Sequence, residues 1–464
     1  MAAAGELARK GYEVTLFEAG ELGGKAGSKV SAAVTLDTGP TLLTMPDVVR
    51  SAFARLDALD LLPAFLEVDP QCEYSFASGA RLTAHRDVER TAASAAALGP
   101  TEAAGVRSFY QEAAALHRFA GEPYLESPFE GLGSFLGRAV RQGPAAIVRG
   151  LAMGTLHELA ARHFKTPELR QFVGRFATYA GASPYEASAA FALIAHVERA
   201  FGTHHVHGGI GALARALGRA LTRLGVRFAL GARASWSRHG SRYRVGSADD
   251  QRDFDAVVVN ADPLESLGRG REPLSMSGYV LLLEAARRLR LPHHSVLFGA
   301  DDAEEFSALF SGRLPLDPTV YVCHPAATDP SMASASRSGL YLMVNAPALP
   351  RAGAPDWGEQ AKRLRDFVLA RLEARCPQAR GASFTVLAER TPTDFARLGA
   401  PGGSLYGFLP HGRLGPFRRP RLRGRTKGLF YAGGGTHPGG GVPLVLLSGR
   451  FAAAMADDSL RGQP

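Results

Sequence analysis

The sequence predicts an α/β fold in which a discontinuous Rossmann-like dinucleotide-binding domain is assembled from separated parts of the chain. Two stretches predict it. At the N-terminus, Ala2 to Lys10 is a run of small residues with helical character, Gly11 stands in the C-cap position, and Tyr12 to Phe17 reads as a buried strand ending in Glu18. Helix, glycine, strand and terminal acid make the second half of a βαβ unit, where the acid bonds ribose hydroxyls. At the other end, Gly428 to Arg450 holds a strand, a glycine turn and a helix from Leu444. There Gly439 to Gly441 let the backbone hug a bulky ligand, and the helix offers it N-terminal N–H groups.

Composition bounds the alternatives. The 464 residues suffice for a large core and two or three substructures. No apolar run approaches the ~18 residues of a spanning helix. The opening Met-Ala-Ala-Ala-Gly lacks the basic-then-apolar pattern of a signal peptide. The isolated cysteines Cys72, Cys323 and Cys376 point to a reducing compartment and not to a disulfide frame or zinc site. His204, His205 and His207 come closest to a histidine cluster but have no carboxylate at metal-site spacing, so no metal is expected. The formal charge of +9 suits an anionic membrane surface. No basic run interleaves with aromatics as strand binding needs, so nucleic acid is not an expected partner.

Between the first helix and its acid, the spacing carries a further expectation. A G-x-G-x-x-G loop belongs before the helix, its last glycine about 20 residues ahead of the acid. Counting back from Glu18 puts that glycine just before Met1. Two readings stand: a first strand and loop upstream of the given start, which is the expected one, or a chain that lacks the loop. After Glu18 come two turns, Leu22-Gly23-Gly24-Lys25-Ala26-Gly27 and Leu36-Asp37-Thr38-Gly39-Pro40-Thr41, whose glycines permit close approach to a ligand.

Glu18, Gly23-Gly24-Lys25 and Asp37-Thr38-Gly39-Pro40-Thr41 together resemble the phytoene desaturase family of carotenoid flavoenzymes, relatives of the amine oxidases. The resemblance runs essentially the length of the chain. It continues through His196-Val197-Glu198, His207-Gly208-Gly209-Ile210-Gly211 and the turn Asn260-Ala261-Asp262-Pro263, and is strongest in Gly433-Gly434-Gly435-Thr436-His437-Pro438-Gly439-Gly440-Gly441-Val442-Pro443. It implies FAD as cofactor, with Glu18, Gly23, Gly24, Lys25, Asp37, Gly39, Pro40, Thr41, Gly208, Gly209, Asn260, Gly434, Gly435, Thr436, Gly441, Val442 and Pro443 around it. Lys25 stands where the family often has arginine, keeping the charge but losing the bidentate fork.

On this basis the FAD domain is expected at 1–75, 203–268 and 424–464, a mostly helical insert at 76–202, and an α+β substrate domain at 269–423. In the substrate domain, Met276–Leu283, Thr319–Cys323 and Leu340–Val344 read as strands and Gln360 to Arg375 as a helix. In the insert, Ser134 to Phe164 carries Phe135, Leu136, Val140, Ile147, Val148, Leu151 and Leu156 near helical spacing, with Arg138, Arg141, Arg149 and Arg162 among them and a break at Pro144. Such a stretch can lie in a membrane interface, and the implied substrate, a C40 polyene, must arrive from lipid. The expected setting is therefore peripheral, on the cytoplasmic side of a membrane, and not secreted.

Removing hydride and proton from adjacent carbons requires an acceptor that no side chain provides, so the flavin carries that step. Glu198 and Asp394 are the candidate bases. Residues Arg175 to Tyr185 and Ala195 to Glu198 resemble the subgroup acting at C-3,4 of 1-hydroxylated acyclic carotenoids. Phytoene desaturases proper, a cis–trans isomerase of the same fold and a non-catalytic carotenoid binder remain open alternatives. Redox stoichiometry separates the isomerase, and flavin content the binder.

Overall fold

The computed structural model describes residues 1–141, 154–231, 233–247, 250–350 and 357–462. The opening helix Ala2–Arg9 and the closing helix Val442–Arg461 pack against each other through small residues. A methyl added at Gly449 would come within 2.8 Å of Ala2 Cβ, so the two helices cross nearly backbone to backbone. Beyond Gly11 (φ +88°) the chain turns into the strand Thr15–Glu18. Tyr12 precedes the strand because its hydroxyl goes to Asp457 on the closing helix (2.8 Å), where Lys10 also pairs.

The expected parallel sheet is present as two ribbons. Thr15–Glu18 pairs in parallel with Arg227–Leu230, Thr15 opposite Arg227. Val257–Val259 pairs in parallel with Leu429–Tyr431, Val257 opposite Leu429. A three-stranded antiparallel meander of Ser235–His239, Arg242–Gly246 and Gln251–Phe254 joins one ribbon to the other.

The region expected as the substrate domain forms a seven-stranded mixed sheet. Its order is Phe384–Arg390, Ser277–Ala285, Ser338–Ala346, Val320–Cys323, His294–Leu297, Cys72–Ser75 and Arg81–Ala84. The last two strands are a correction to the expected boundaries, which divided residues 72–84 between the cofactor domain and the helical insert. Cys72–Ser75 pairs in parallel with His294–Leu297 and so belongs to the substrate sheet. The helix Trp357–Arg375 covers one face, burying Trp357, Leu364, Val368 and Leu372 against Leu281, Leu283 and Leu340. The opposite face looks onto the interior described below.

The described residues of 76–202 are mostly helical. Phe109 packs against Phe164, Phe172 and Phe176, each 1% exposed or less, at the centre of this insert, and Phe172 meets Tyr74 edge to face. Each such burial contributes roughly 1.5–3 kcal/mol. Thr155 and Glu158 form a capping box that starts the helix Leu156–His163. The basic amphipathic stretch is seen in part. Leu132–Val140 is a helix, with Phe135 and Ala139 inward and Leu132, Leu136 and Val140 exposed by 46%, 39% and 56%. Arg138 does not face outward; it binds the carbonyls of Pro123 and Pro128 at 3.0 Å each. Pro144, Ile147, Val148, Arg149 and Leu151 lie outside the described residues. Among the described residues no helix is long and apolar enough to cross a membrane.

Candidate functional site

One cavity of about 2510 Å³ runs through the molecule. Small-ligand pockets usually hold roughly 300–1,000 Å³, so this one has room for two large ligands side by side. Its first part is made by the N-terminal ribbon, the two glycine turns and the C-terminal segment. Glu18 stands at the strand's end on the cavity wall and accepts the Gly20 N–H at 2.9 Å. Gly23 (φ +108°) and Gly24 (φ +53°) turn the chain there. Gly39 is fixed by space: a methyl on it would sit 2.0 Å from the Lys25 carbonyl, so the two turns can touch only because residue 39 has no side chain. Residues Met1 to Ala4 line the same part, which aims the N-terminus of the opening helix at whatever anion lies there.

Of the residues expected around the cofactor, Glu18, Gly23, Gly24, Lys25, Gly39, Pro40, Thr41, Asn260, Gly434, Gly435, Gly441, Val442 and Pro443 line the cavity together. Four do not, and each has a structural task instead. Asp37 is 5% exposed and accepts the backbone N–H groups of Ile210 (2.9 Å) and Gly211 (3.1 Å), fastening the helix Ile210–Arg223 to the glycine turn. Burial pushes its carboxyl up to about 6, against the pull of those donors. Gly209 (φ +83°) lets that helix start against Asp37, because a methyl there would meet its carboxylate at 2.6 Å. Gly208 donates its N–H to Asp329 at 2.8 Å. Thr436 is fully buried and bonds the Gly433 carbonyl (2.9 Å) and the Ser448 hydroxyl (3.1 Å). The spacing of these four marks the site's framework and not its wall.

The structure adds groups the sequence reading did not single out. Arg419 is buried on the wall, donating to the Gly434 carbonyl at 2.9 Å, and Arg390 donates to the Thr38 carbonyl at 3.0 Å. Asp262, from the Asn260–Pro263 turn, faces Lys25 and Arg419; burial raises its carboxyl and lowers both cations. Positive charge thus lines the space where an anionic dinucleotide would lie, and Arg419 had no motif to betray it.

Past Thr41 the cavity becomes a channel between the substrate sheet and the insert. Phe119, Phe135, Leu136, Phe191, Ile194 and Phe417 line it. Where the two parts meet, Thr41 Oγ1 lies 2.7 Å from the Tyr321 hydroxyl, which lies 2.8 Å from His294 Nδ1. Burial lowers His294 to about 3, so the ring is neutral at physiological pH. His294, His293 and Cys323 are all buried and bring one ligand-type atom each within 4.8 Å of one another. That approach arises from cross-strand pairing of His294 with Cys323 and has no local signal.

The two candidate bases differ in place. Glu198 lines the channel, is 7% exposed, and gives both oxygens to partners: Arg175 at 3.2 and 3.4 Å, and the Tyr179 hydroxyl. Arg175 in turn lies over the rings of Tyr74, Phe176 and Tyr179 at 4.9–5.3 Å. Asp394 is not on the wall. With Thr391 it forms the capping box of the short helix Pro392–Arg397, and it pairs with Arg397 at 3.2 Å.

Comparison with known proteins gives these features relatives. Residues 1–456 match the family of flavin containing amine oxidoreductases. A phytoene dehydrogenase of Streptomyces griseus is 33% identical over 480 residues, covering 98% of this chain and 92% of the relative. A hydroxyneurosporene desaturase of Cereibacter sphaeroides is 34% identical over 484 residues, covering 98% and 94%. Among solved structures, cyclohexylamine oxidase from Brevibacterium oxydans superposes with a TM-score of 0.63 over 99% of this chain and 97% of that one, at 17% identity, a likeness of fold.

Proposed function

Because the chain belongs to the flavin containing amine oxidoreductases, and among them to the FAD-dependent carotenoid desaturases, we propose that it introduces a C=C bond into an acyclic carotenoid, at C-3,4 of a 1-hydroxylated one. The observation that carries this reading is the single cavity, in which a glycine-built, cation-lined dinucleotide end opens directly into an apolar channel. FAD, when bound, supplies the acceptor for the hydride that no side chain can take.

The chain's own residues do the rest. With FAD bound, Glu18 would take the ribose, Lys25, Arg390 and Arg419 would meet negative charge, and the Gly439–Gly441 turn would allow close backbone approach, all of them on the cavity wall. The channel's phenylalanines, leucine and isoleucine exclude water and hold a rod-like polyene against that turn. Desaturation removes a hydride and a proton from adjacent carbons, and the double bond forms from the electrons of the C–H bond that gives up the proton. The exposed Leu132, Leu136 and Val140, one turn apart on a helix whose Leu132 and Leu136 also line the cavity, support entry of the substrate from a lipid surface.

The names of the relatives divide between phytoene and hydroxyneurosporene, so substrate preference is the test. FAD-loaded protein mixed with vesicles carrying either a 1-hydroxylated acyclic carotenoid or phytoene is expected to remove two hydrogens per turnover from the first, at least tenfold faster than from the second. Mass spectrometry of the extracted polyene measures this. Faster oxidation of phytoene overturns the C-3,4 assignment, and a product of unchanged mass with altered geometry overturns desaturation in favour of isomerisation.

A further inference from the structure

We infer that the sheet-lined end of the channel is a binding site for a hydroxyl group on the terminus of the substrate, with Glu305 as its hydrogen-bonding partner. The inference rests on the polyene-oxidising reading above and deepens it.

The sheet provides a ruler. His294 and Val296 line the cavity from one strand, with Phe298 just past its end, Tyr321 from the next, with Thr319 just before its start, and Tyr341, Met343 and Asn345 from the third. Alternate residues share a face, so each step along a strand advances roughly 7 Å. Tyr321 sits opposite Met343 and holds Thr41, which fixes the near end of the ruler at the glycine turns. One step further from Thr41 the lining changes character. Thr319 and Asn345 follow Tyr321 and Met343, and Gln171 and Glu305 join them on the wall. A hydrocarbon terminus has no use for four polar side chains at this depth.

Glu305 is the centre of the group. It lies in the first turn of the helix Asp302–Phe310, which Asp301 caps, and is 2% exposed. One carboxylate oxygen, Oε2, accepts the Thr319 backbone N–H at 3.1 Å and its hydroxyl at 2.7 Å, and the Asn345 amide lies beside the same carboxyl. Those bonds account for its role in tying helix to sheet. They leave Oε1, which is buried and has no hydrogen-bond partner among the described residues. A buried acceptor left without a donor is unfavourable, and a ligand hydroxyl arriving there would satisfy it. Burial also pushes the carboxyl up to about 7, so near neutral pH it can act as donor or acceptor. A hydroxyl on C-1 lies three bonds from C-3 and four from C-4, so a partner one strand step from Tyr321 is at the right scale for oxidation beside the glycine turns.

The experiment compares kcat/KM for a 1-hydroxylated acyclic carotenoid and for the same polyene lacking the hydroxyl, with FAD-loaded wild type, Glu305→Leu and Glu305→Asp in vesicles of neutral phospholipid. The hydroxyl preference is expected to fall at least tenfold in Glu305→Leu. It should fall several-fold in Glu305→Asp, which keeps the carboxyl but withdraws it by one methylene. Bound FAD per chain monitors folding; should the leucine variant not hold it, the aspartate variant decides. A preference unmoved in the folded variants, or equal losses on both substrates, overturns the assignment of Glu305 alone. A wild type that oxidises neither polyene overturns the desaturase reading, and this inference with it.

Discussion

Replacing Asp37 by alanine is expected to destabilise the protein by about 2–6 kcal/mol, read as a lowered denaturant midpoint, and to lower FAD occupancy in parallel. The estimate follows from two buried backbone N–H groups, of Ile210 and Gly211, left without an acceptor at about 1–3 kcal/mol each. The loss falls on a joint. Asp37 holds the N-terminus of the helix Ile210–Arg223 to the segment that continues into Gly39, Pro40 and Thr41, all on the cavity wall. Asn at position 37 keeps one carbonyl acceptor and should cost less than alanine. An unchanged midpoint in the alanine variant would show that the carboxylate does not carry this joint.

Glu198→Ala is expected to be comparably severe, about 3–5 kcal/mol, because it strands the Arg175 guanidinium in a buried aromatic setting without its counter-ion. Glu198→Gln separates two roles. Both oxygens are engaged by Arg175 and Tyr179, so the expected result is that of a positioning residue. The glutamine variant should then retain kcat within about tenfold, with an unaltered pH profile and a lower denaturation midpoint. A general base would instead cost 10²–10⁴ in rate, and its limb of the pH profile would disappear.

Much of the cofactor end was legible in the sequence, for a physical reason. Glycine turns, a strand-ending acid and a helix opening after Pro443 are local signals, and the structure reproduces them: Gly11, Glu18, Gly39 and the helix Val442–Arg461, which starts two residues earlier than Leu444. The strands Ser277–Ala285, Val320–Cys323 and Ser338–Ala346 and the helix Trp357–Arg375 were likewise readable from their apolar patterns. What was not readable depends on pairing. Cys72–Ser75 and Arg81–Ala84 are short, and only their place beside His294–Leu297 assigns them to the substrate sheet.

The same limit applied to the site. Asp37, Gly208, Gly209 and Thr436 belong to motif segments, yet the motif does not say which of its members face the ligand and which brace the turn. Arg419 and Glu305 sit in sequence contexts like those of exposed residues elsewhere in the chain, and only the folded sheet and helices bury them. The cavity extends between the two parallel ribbons, touching Val14 to Glu18 on one side and Ala256 to Val259 on the other.

The most direct test of the account is anaerobic mixing of the FAD-loaded protein with a 1-hydroxylated acyclic carotenoid in vesicles, following the visible flavin band and the polyene spectrum together. The account predicts that the flavin bleaches once for each double bond gained, with the polyene absorption shifting to longer wavelength at the same rate. Polyene conversion with no flavin reduction, or a flavin that stays oxidised beside bound substrate, would contradict it.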